Sequence, residues 1–214
     1  MTTQTMVTSQ ATVYVVDDDP AVLKSLTRLL RSARYKVETF AGGRDFLEYP
    51  LSSSPACLVL DVRMPGITGL ELQDAVAARH RPLPIVFISG HGDVPMSVRA
   101  MRAGAVDFLT KPYSADELLD AVRRALERDV AEQGDRVRAR EISQRVADLT
   151  QREAEVFELV VTGRLNKQIA WKLGISEKTV KVHRARMMEK MCAESVADLV
   201  RMAAVVHSPV SRSS

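Results

Sequence analysis

Leu58-Val59-Leu60-Asp61-Val62-Arg63-Met64-Pro65-Gly66 runs three apolar residues straight into a carboxylate, and Pro65-Gly66 turns the chain four residues later. An apolar run closed by turn residues reads as a strand buried on both faces, which points to a parallel sheet. Asp61 then stands at the carboxyl end of a central strand. Open α/β sheets place their chemistry along that edge.

Working outward, the flanking segments supply the rest of such a sheet. Upstream, Thr12 to Val16 is β-branched and aromatic and ends at Asp17-Asp18-Asp19-Pro20. Asp19 before Pro20 suits a helix N-cap followed by its first residue. Val22, Leu23, Leu26, Leu29 and Leu30 repeat at helical spacing, and Lys36 to Phe40 is a second strand. A short helix follows around Arg44 to Glu48. Downstream, a helix begins at Gly69. Pro84 to Ser89 is a second fully apolar strand, Val94 to Ala103 a helix ended by Gly104, and Val106 to Thr110 a fifth strand. Ser114 caps a last helix through Leu118, Leu119, Val122 and Leu126. Five strand–helix alternations in this length predict a doubly wound, flavodoxin-like α/β fold with strand order 2-1-3-4-5.

That order brings particular side chains together. Strand one delivers Asp17 and Asp18, strand three Asp61, strand four Ser89 and strand five Lys111. Singly, each has a plainer reading: a helix cap, a turn residue, a loop serine, a surface lysine. Jointly they fall on one sheet edge. Converging carboxylates repel and raise a pKa unless a cation joins them. Mg²⁺ takes oxygen ligands and would draw a phosphoryl donor onto a carboxylate nucleophile. Lys111 and Ser89 could then hold phosphoryl oxygens.

Val16-Asp17-Asp18, Leu60-Asp61-x-x-Met64-Pro65-Gly66, Ser89 and Asp107-Phe108-Leu109-x-Lys111-Pro112 resemble the receiver domain of bacterial two-component response regulators. Residues 90–96 and 103–108 resemble the FixJ and StyR branch of the NarL/FixJ family. The resemblance implies that a sensor histidine kinase phosphorylates Asp61. It implies that Asp18, Asp61 and the Arg63 backbone carbonyl ligate Mg²⁺ directly and Asp17 through water. Ser89, more often Thr in the family, would move toward the phosphoryl group, and Phe108 would rotate inward as the switch. Lys111-Pro112 would be a cis peptide.

Beyond Asp116 the chain is rich in Arg, Glu, Asp and Ala, with sparse apolar residues at Val130, Val137, Ile142 and Val146. The last receiver helix is expected to continue as a long, charged linker helix over 128–147, in which Gly134 is the one residue that could interrupt it. A flexible polar linker and a helical dimer seam stay open.

Thr150 and Glu153 form a capping box that opens a second domain. Val156, Phe157, Val160 and Val161 make its first apolar stripe, Asn166 is expected to cap a second helix, and Ser176 a third from Glu177 to Met191. Two short helices around Gly174-Ile175-Ser176 read as helix-turn-helix, with a fourth helix over Val196 to Val206. On the third helix Val180, Met187 and Met191 face inward with His183 or Arg184. Lys178, Thr179, Lys181, Val182, Ala185 and Arg186 lie on another side, suited to the major groove. Lys167 and Lys172 are better placed for phosphates.

This half resembles the LuxR-type helix-turn-helix through Leu149-Thr150-x-Arg152-Glu153, Asn166 to Ala170, Leu173 to Ser176 and Thr179 to His183. The resemblance maps base reading onto Lys181, Val182 and Ala185. It implies promoter DNA, RNA polymerase and a phosphorylation-dependent homodimer as partners. The face around Arg99, Arg102 and Asp107 is the expected dimer surface.

The expected domains are a disordered lead-in over 1–10, a receiver over 11–127, a helical linker over 128–147, the helix-turn-helix domain over 148–208 and a tail over 209–214. Formal charge divides as −1, +1 and +3 over residues 1–127, 128–147 and 148–214, so the basic excess gathers where a polyanion would bind. No apolar run is long enough for a membrane span, nothing reads as a signal peptide, and two distant cysteines suggest no disulfide framework. The expected location is therefore the cytoplasm.

A carboxylate-nucleophile phosphatase would want an acid two residues after Asp61, where Arg63 stands. The chain is therefore expected to be no enzyme beyond slow hydrolysis of its own phosphate. A constitutive DNA-binding regulator with a non-signalling receiver is the alternative. RNA binding lacks an aromatic platform, since Trp171 stands nearly alone in the second half.

Overall fold

The computed structural model describes residues 11–79, 81–90 and 94–207. The lead-in expected over 1–10 and the tail over 209–214 lie outside the described residues. The chain divides after Glu132 into two compact units.

The first unit is a five-stranded, all-parallel sheet: β1 (Thr12–Val16), β2 (Lys36–Phe40), β3 (Ala56–Asp61), β4 (Ile85–Ser89) and β5 (Asp107–Thr110), in the order β2-β1-β3-β4-β5. Every residue of β1, β3 and β4 is buried. Pro84 precedes β4 rather than starting it, since it has no N–H to give the ladder. Its carbonyl accepts the Leu58 N–H at 2.9 Å.

Alternate side chains of the buried strands enter different cores. Val13, Val15, Cys57, Val59, Val86 and Ile88 pack against α1 (Pro20–Ser32) and the early turns of α5 (Ala115–Ala147). Tyr14, Val16, Leu58, Leu60 and Phe87 pack on the other side with α2 (Gly43–Glu48), α3 (Gly69–Ala77) and α4 (Val94–Arg102). Burial pushes the Cys57 thiol up, far from reactivity.

α5 is unbroken through Gly134. One glycine costs a helix about 1 kcal/mol against alanine, and the helix is held on both sides of it. Leu118, Ala121, Val122, Ala125 and Leu126 lie in the first unit's core, and Ile142 lies in the second's.

The second unit gathers α6 (Gln151–Val161), α7 (Asn166–Leu173), α8 (Glu177–Met191) and α9 (Val196–Val206) around Phe157, Ile169, Val180, Met187, Met191 and Leu199. Reciprocal caps open α6 (Thr150 with Glu153) and α9 (Ser195 with Asp198). Asn166 does not cap α7, contrary to expectation. Leu165 stands at the cap, its N–H bonded to Gln168 Oε1 at 2.9 Å. The Asn166 amide oxygen instead accepts from Arg184 of α8 at 3.0 Å.

Candidate functional site

The carboxyl edge of the sheet collects the residues that the strand order calls for. Asp61 ends β3, Ser89 ends β4, Asp17 follows β1 and Lys111 follows β5. Lys111 Nζ lies 3.0 Å from Asp61 Oδ1 and 3.2 Å from Asp17 Oδ2, so one ammonium bridges two carboxylates. Their other oxygens accept backbone N–H groups: Asp61 Oδ2 from Arg63 at 2.7 Å, Asp17 Oδ1 from Asp19 at 2.8 Å. Ser89 is buried, and its carbonyl accepts the Lys111 N–H at 2.8 Å, tying the ends of β4 and β5 together. Lys111-Pro112 is cis.

Asp18 is exposed and does not join the other two acids. The chain turns away from the sheet at Asp17, whose side chain holds the Asp19 N–H, and this leaves Asp18 at the surface. The three-acid convergence expected from the sequence is a pair instead. Among the described residues no three His, Cys, Asp or Glu side chains are gathered as a metal cluster.

Burial, the largest effect, lifts the Asp17 carboxyl above its ordinary value; the negative Asp61 adds to this, while the Asp19 N–H and Lys111 pull it back. Burial alone would lower Lys111, but its hydrogen bond to Asp61 and the charges of Asp61 and Asp17 raise it overall. Two carboxylates sharing one ammonium supply oxygen donors that fit Mg²⁺, which commonly takes one or two carboxylates and completes its shell with water.

Gly69 is required beside this edge. A Cβ there would collide with the Asp61 carbonyl oxygen and lie 2.9 Å from Val62 Cα, so α3 starts hard against the end of β3. Phe108 is half-buried, its ring centred 6.1 Å from that of Phe87. Asp107 pairs with Arg124 of α5 and also accepts the Phe108 N–H at 2.8 Å. Sequence reading did not find Gln73, which is buried on α3 and donates to the Ala100 carbonyl of α4 at 3.1 Å. A lone Gln among apolar residues carries no local signal of a cross-helix bond.

In the second unit, Val180, Met187 and Met191 of α8 are buried. Lys178, Thr179, Lys181 and Arg186 are exposed on it, as are Lys167 and Lys172 on α7. Val182 is 45% exposed on the same helix as Lys181. Two further cations of α8 brace it: Arg184 through Asn166, and Lys190 through Glu153 at 2.7 Å and the Asp148 carbonyl at 3.1 Å. Among the described residues no helix is long and apolar enough to cross a membrane.

Comparison with known proteins agrees with both halves. Residues 13–123 match the response regulator receiver domain family, and residues 147–203 match the bacterial regulatory proteins of the luxR family. The chain is 46% identical over 198 residues to nodulation protein W of Bradyrhizobium diazoefficiens, covering 92% of this chain and 87% of that one. It is 47% identical to the transcriptional regulatory protein FixJ of Azorhizobium caulinodans, covering 89% and 90%. Among solved structures it is similar to the response regulator StyR, with a TM-score of 0.76 at 47% identity over 91% of this chain and 98% of that one. It is also similar to full-length FixJ from B. japonicum, with a TM-score of 0.56 at 42% identity over 93% and 98%.

Proposed function

The chain belongs to the NarL/FixJ-type response regulators, which join a receiver to a LuxR-type DNA-binding domain and regulate transcription, and on that premise we propose that Asp61 is its phosphoacceptor. The observation that carries the assignment is the Asp17–Lys111–Asp61 bridge at the carboxyl edge of the sheet, with the Ser89 hydroxyl-bearing side chain buried beside it.

Asp61 and the Arg63 carbonyl would hold Mg²⁺ directly and Asp17 through water, and Asp18, which stands at the surface in this structure, would turn inward to complete the direct ligands. When bound, the ion supplies charge neutralisation for the phosphoryl group in transfer. An Asp61 carboxylate oxygen attacks the phosphorus of the kinase phosphohistidine, the P–N bond breaks and the imidazole leaves, while Lys111, bonded to Asp61 Oδ1 at 3.0 Å, orients the acceptor. Lys111 then pairs with a phosphoryl oxygen, and Ser89 donates its hydroxyl hydrogen to another. Drawing Ser89 inward opens space for the half-buried Phe108 to rotate, and the shift favours a receiver surface that dimerises. The site hydrolyses its own phosphate slowly. It lacks a second acid at position 63 to protonate a leaving group.

In the second unit, Lys178, Thr179, Lys181, Val182 and Arg186 enter the major groove of promoter DNA, and Lys167 and Lys172 meet phosphates. Dimerisation brings two such helices to two half-sites, and joint binding raises affinity through effective concentration. The phosphoryl donor is a sensor histidine kinase, RNA polymerase is the further partner, and the site of action is the cytoplasm. The working boundaries are a receiver over 11–127, a helical linker over 128–147 and a DNA-binding domain over 148–208.

A gel shift with and without a small-molecule phosphodonor tests this. Wild type gains DNA affinity, while Asp61→Asn keeps basal binding and gains nothing. Stimulation that survives in Asp61→Asn overturns the assignment. Absence of stimulation in the wild type favours a constitutive DNA-binding regulator.

A further inference from the structure

Leu118, Val122 and Ala125 form the stripe by which α5 packs on the sheet, and the next position on that stripe is Asp129. An apolar residue would continue the pattern there. Asp129 is nevertheless 0% exposed. Its Oδ2 accepts the N–H of Ala56, the first residue of β3, at 2.9 Å and a guanidinium hydrogen of Arg81 at 3.0 Å. The same Arg81 nitrogen donates to the Ser54 carbonyl at 2.7 Å. These bonds lie at the amino end of the strand whose carboxyl end is Asp61. After Asp129 no residue of α5 is buried until Ile142.

We propose that Asp129 is a positioning residue for signalling: its bonds to Ala56 and Arg81 fix the point and the rotational register at which the linker helix leaves the receiver. A buried carboxylate differs from the leucine that would fill this stripe. Apolar packing holds a helix down but tolerates rotation about its axis, whereas hydrogen bonds to a strand N–H and a guanidinium are directional. Single buried polar groups set register in this way elsewhere, at a cost in stability. Twelve exposed or half-buried positions follow on α5 before Ile142, so Asp129 is the last fully buried side chain of the helix on the receiver side. The Asp129 anchor holds the receiver end. This rests on the proposed phosphorelay only for its consequence in DNA binding; the anchoring itself does not.

The test uses the full chain with Asp129→Ala and a double swap, Asp129→Leu with Arg81→Leu. In Asp129→Ala, amide exchange over residues 128–140 should accelerate by about ten-fold or more. Magnesium-dependent beryllofluoride binding at the far end of β3 should stay within about two-fold of wild type, as expected for a distant site. The phosphodonor-driven gain in DNA affinity should fall by about five-fold or more as the helix loses its fixed exit.

The double swap removes the buried Asp129 charge and the partly exposed Arg81 charge together, which is often near neutral, but strands the buried Ala56 N–H, so it should fold and melt modestly below the wild-type temperature. It should still lose the phosphodonor-driven gain. If Asp129→Ala fails to fold, the double swap decides alone. A double swap that is stable and fully stimulated makes Asp129 merely structural and overturns the proposal, as does unchanged exchange over 128–140 in a folded Asp129→Ala. If wild type itself shows no stimulation, the phosphorelay reading fails while the exchange measurement still tests the anchor.

Discussion

Asp61 is positioned by backbone as much as by side chains. Its carboxylate takes the Arg63 N–H on one oxygen and Lys111 on the other. Its carbonyl presses on Gly69, which leaves no space for a methyl group. Gly69→Ala should therefore cost about 1–3 kcal/mol of stability through overpacking. It should also slow acetyl-phosphate labelling of Asp61, read by mass spectrometry, because the strand end must shift. Asp17 gives a pH signature. Its carboxyl is raised in the folded chain, chiefly by burial, so ionised Asp17 carries a cost that is relieved as pH falls. A proton also competes for the oxygens that would bind a cation. Magnesium affinity measured by calorimetry should weaken on acidification at a higher pH than an ordinary aspartate would dictate, and Asp17→Asn should remove that dependence.

Glu153 shows the opposite sign within an element boundary. Its hydrogen bond from Lys190, then that from the Thr150 N–H, lowers its pKa from 4.5 to about 2. A lowered carboxylate contributes stability that is complete above its unfolded pKa and is lost as pH falls through the folded one. The loss should run from near pH 4.5 down to about 2. Glu153→Gln should remove about 1.5–3 kcal/mol at pH 7, the usual worth of a hydrogen bond to a charged group, and flatten that acid limb in denaturant titrations. On α5, a Cβ at Gly134 meets nothing within 4 Å. Gly134→Ala should stabilise the helix by about 1 kcal/mol, seen as slower amide exchange on either side of it.

At the level of the whole molecule, the division of charge matters more than its sum. The +3 carried beyond residue 147 sits with the exposed lysines of α7 and α8. Lys167→Ala or Lys172→Ala should lower DNA affinity alike for matched and random duplexes and reduce the salt slope by about one charge. Lys181→Ala should instead lose about 1–3 kcal/mol of discrimination at one base position. Fluorescence anisotropy across a potassium chloride series distinguishes the two. Equal effects of all three substitutions would argue against their separate roles.

The strand order, the helix spans and the helix-turn-helix were legible because buried parallel strands and amphipathic helices write their periods directly into the chain. Thr12–Val16, Lys36–Phe40 and Val196–Val206 lie where those periods place them. The coincidence of Asp17, Asp61, Ser89 and Lys111 followed from topology alone, since strand ends that alternate with helices must share one edge. Tertiary structure decided what depends on partners distant in sequence. Asp18 stands at the surface outside the acid pair, Asn166 bonds Arg184 instead of capping its helix, and the expected linker helix runs through Gly134 without interruption. Asp129 reads as one more charge on a polar helix until Ala56 and Arg81 close around it. Hydrophobic period is a local property of a chain, whereas the partner of a buried charge is chosen only when remote segments meet.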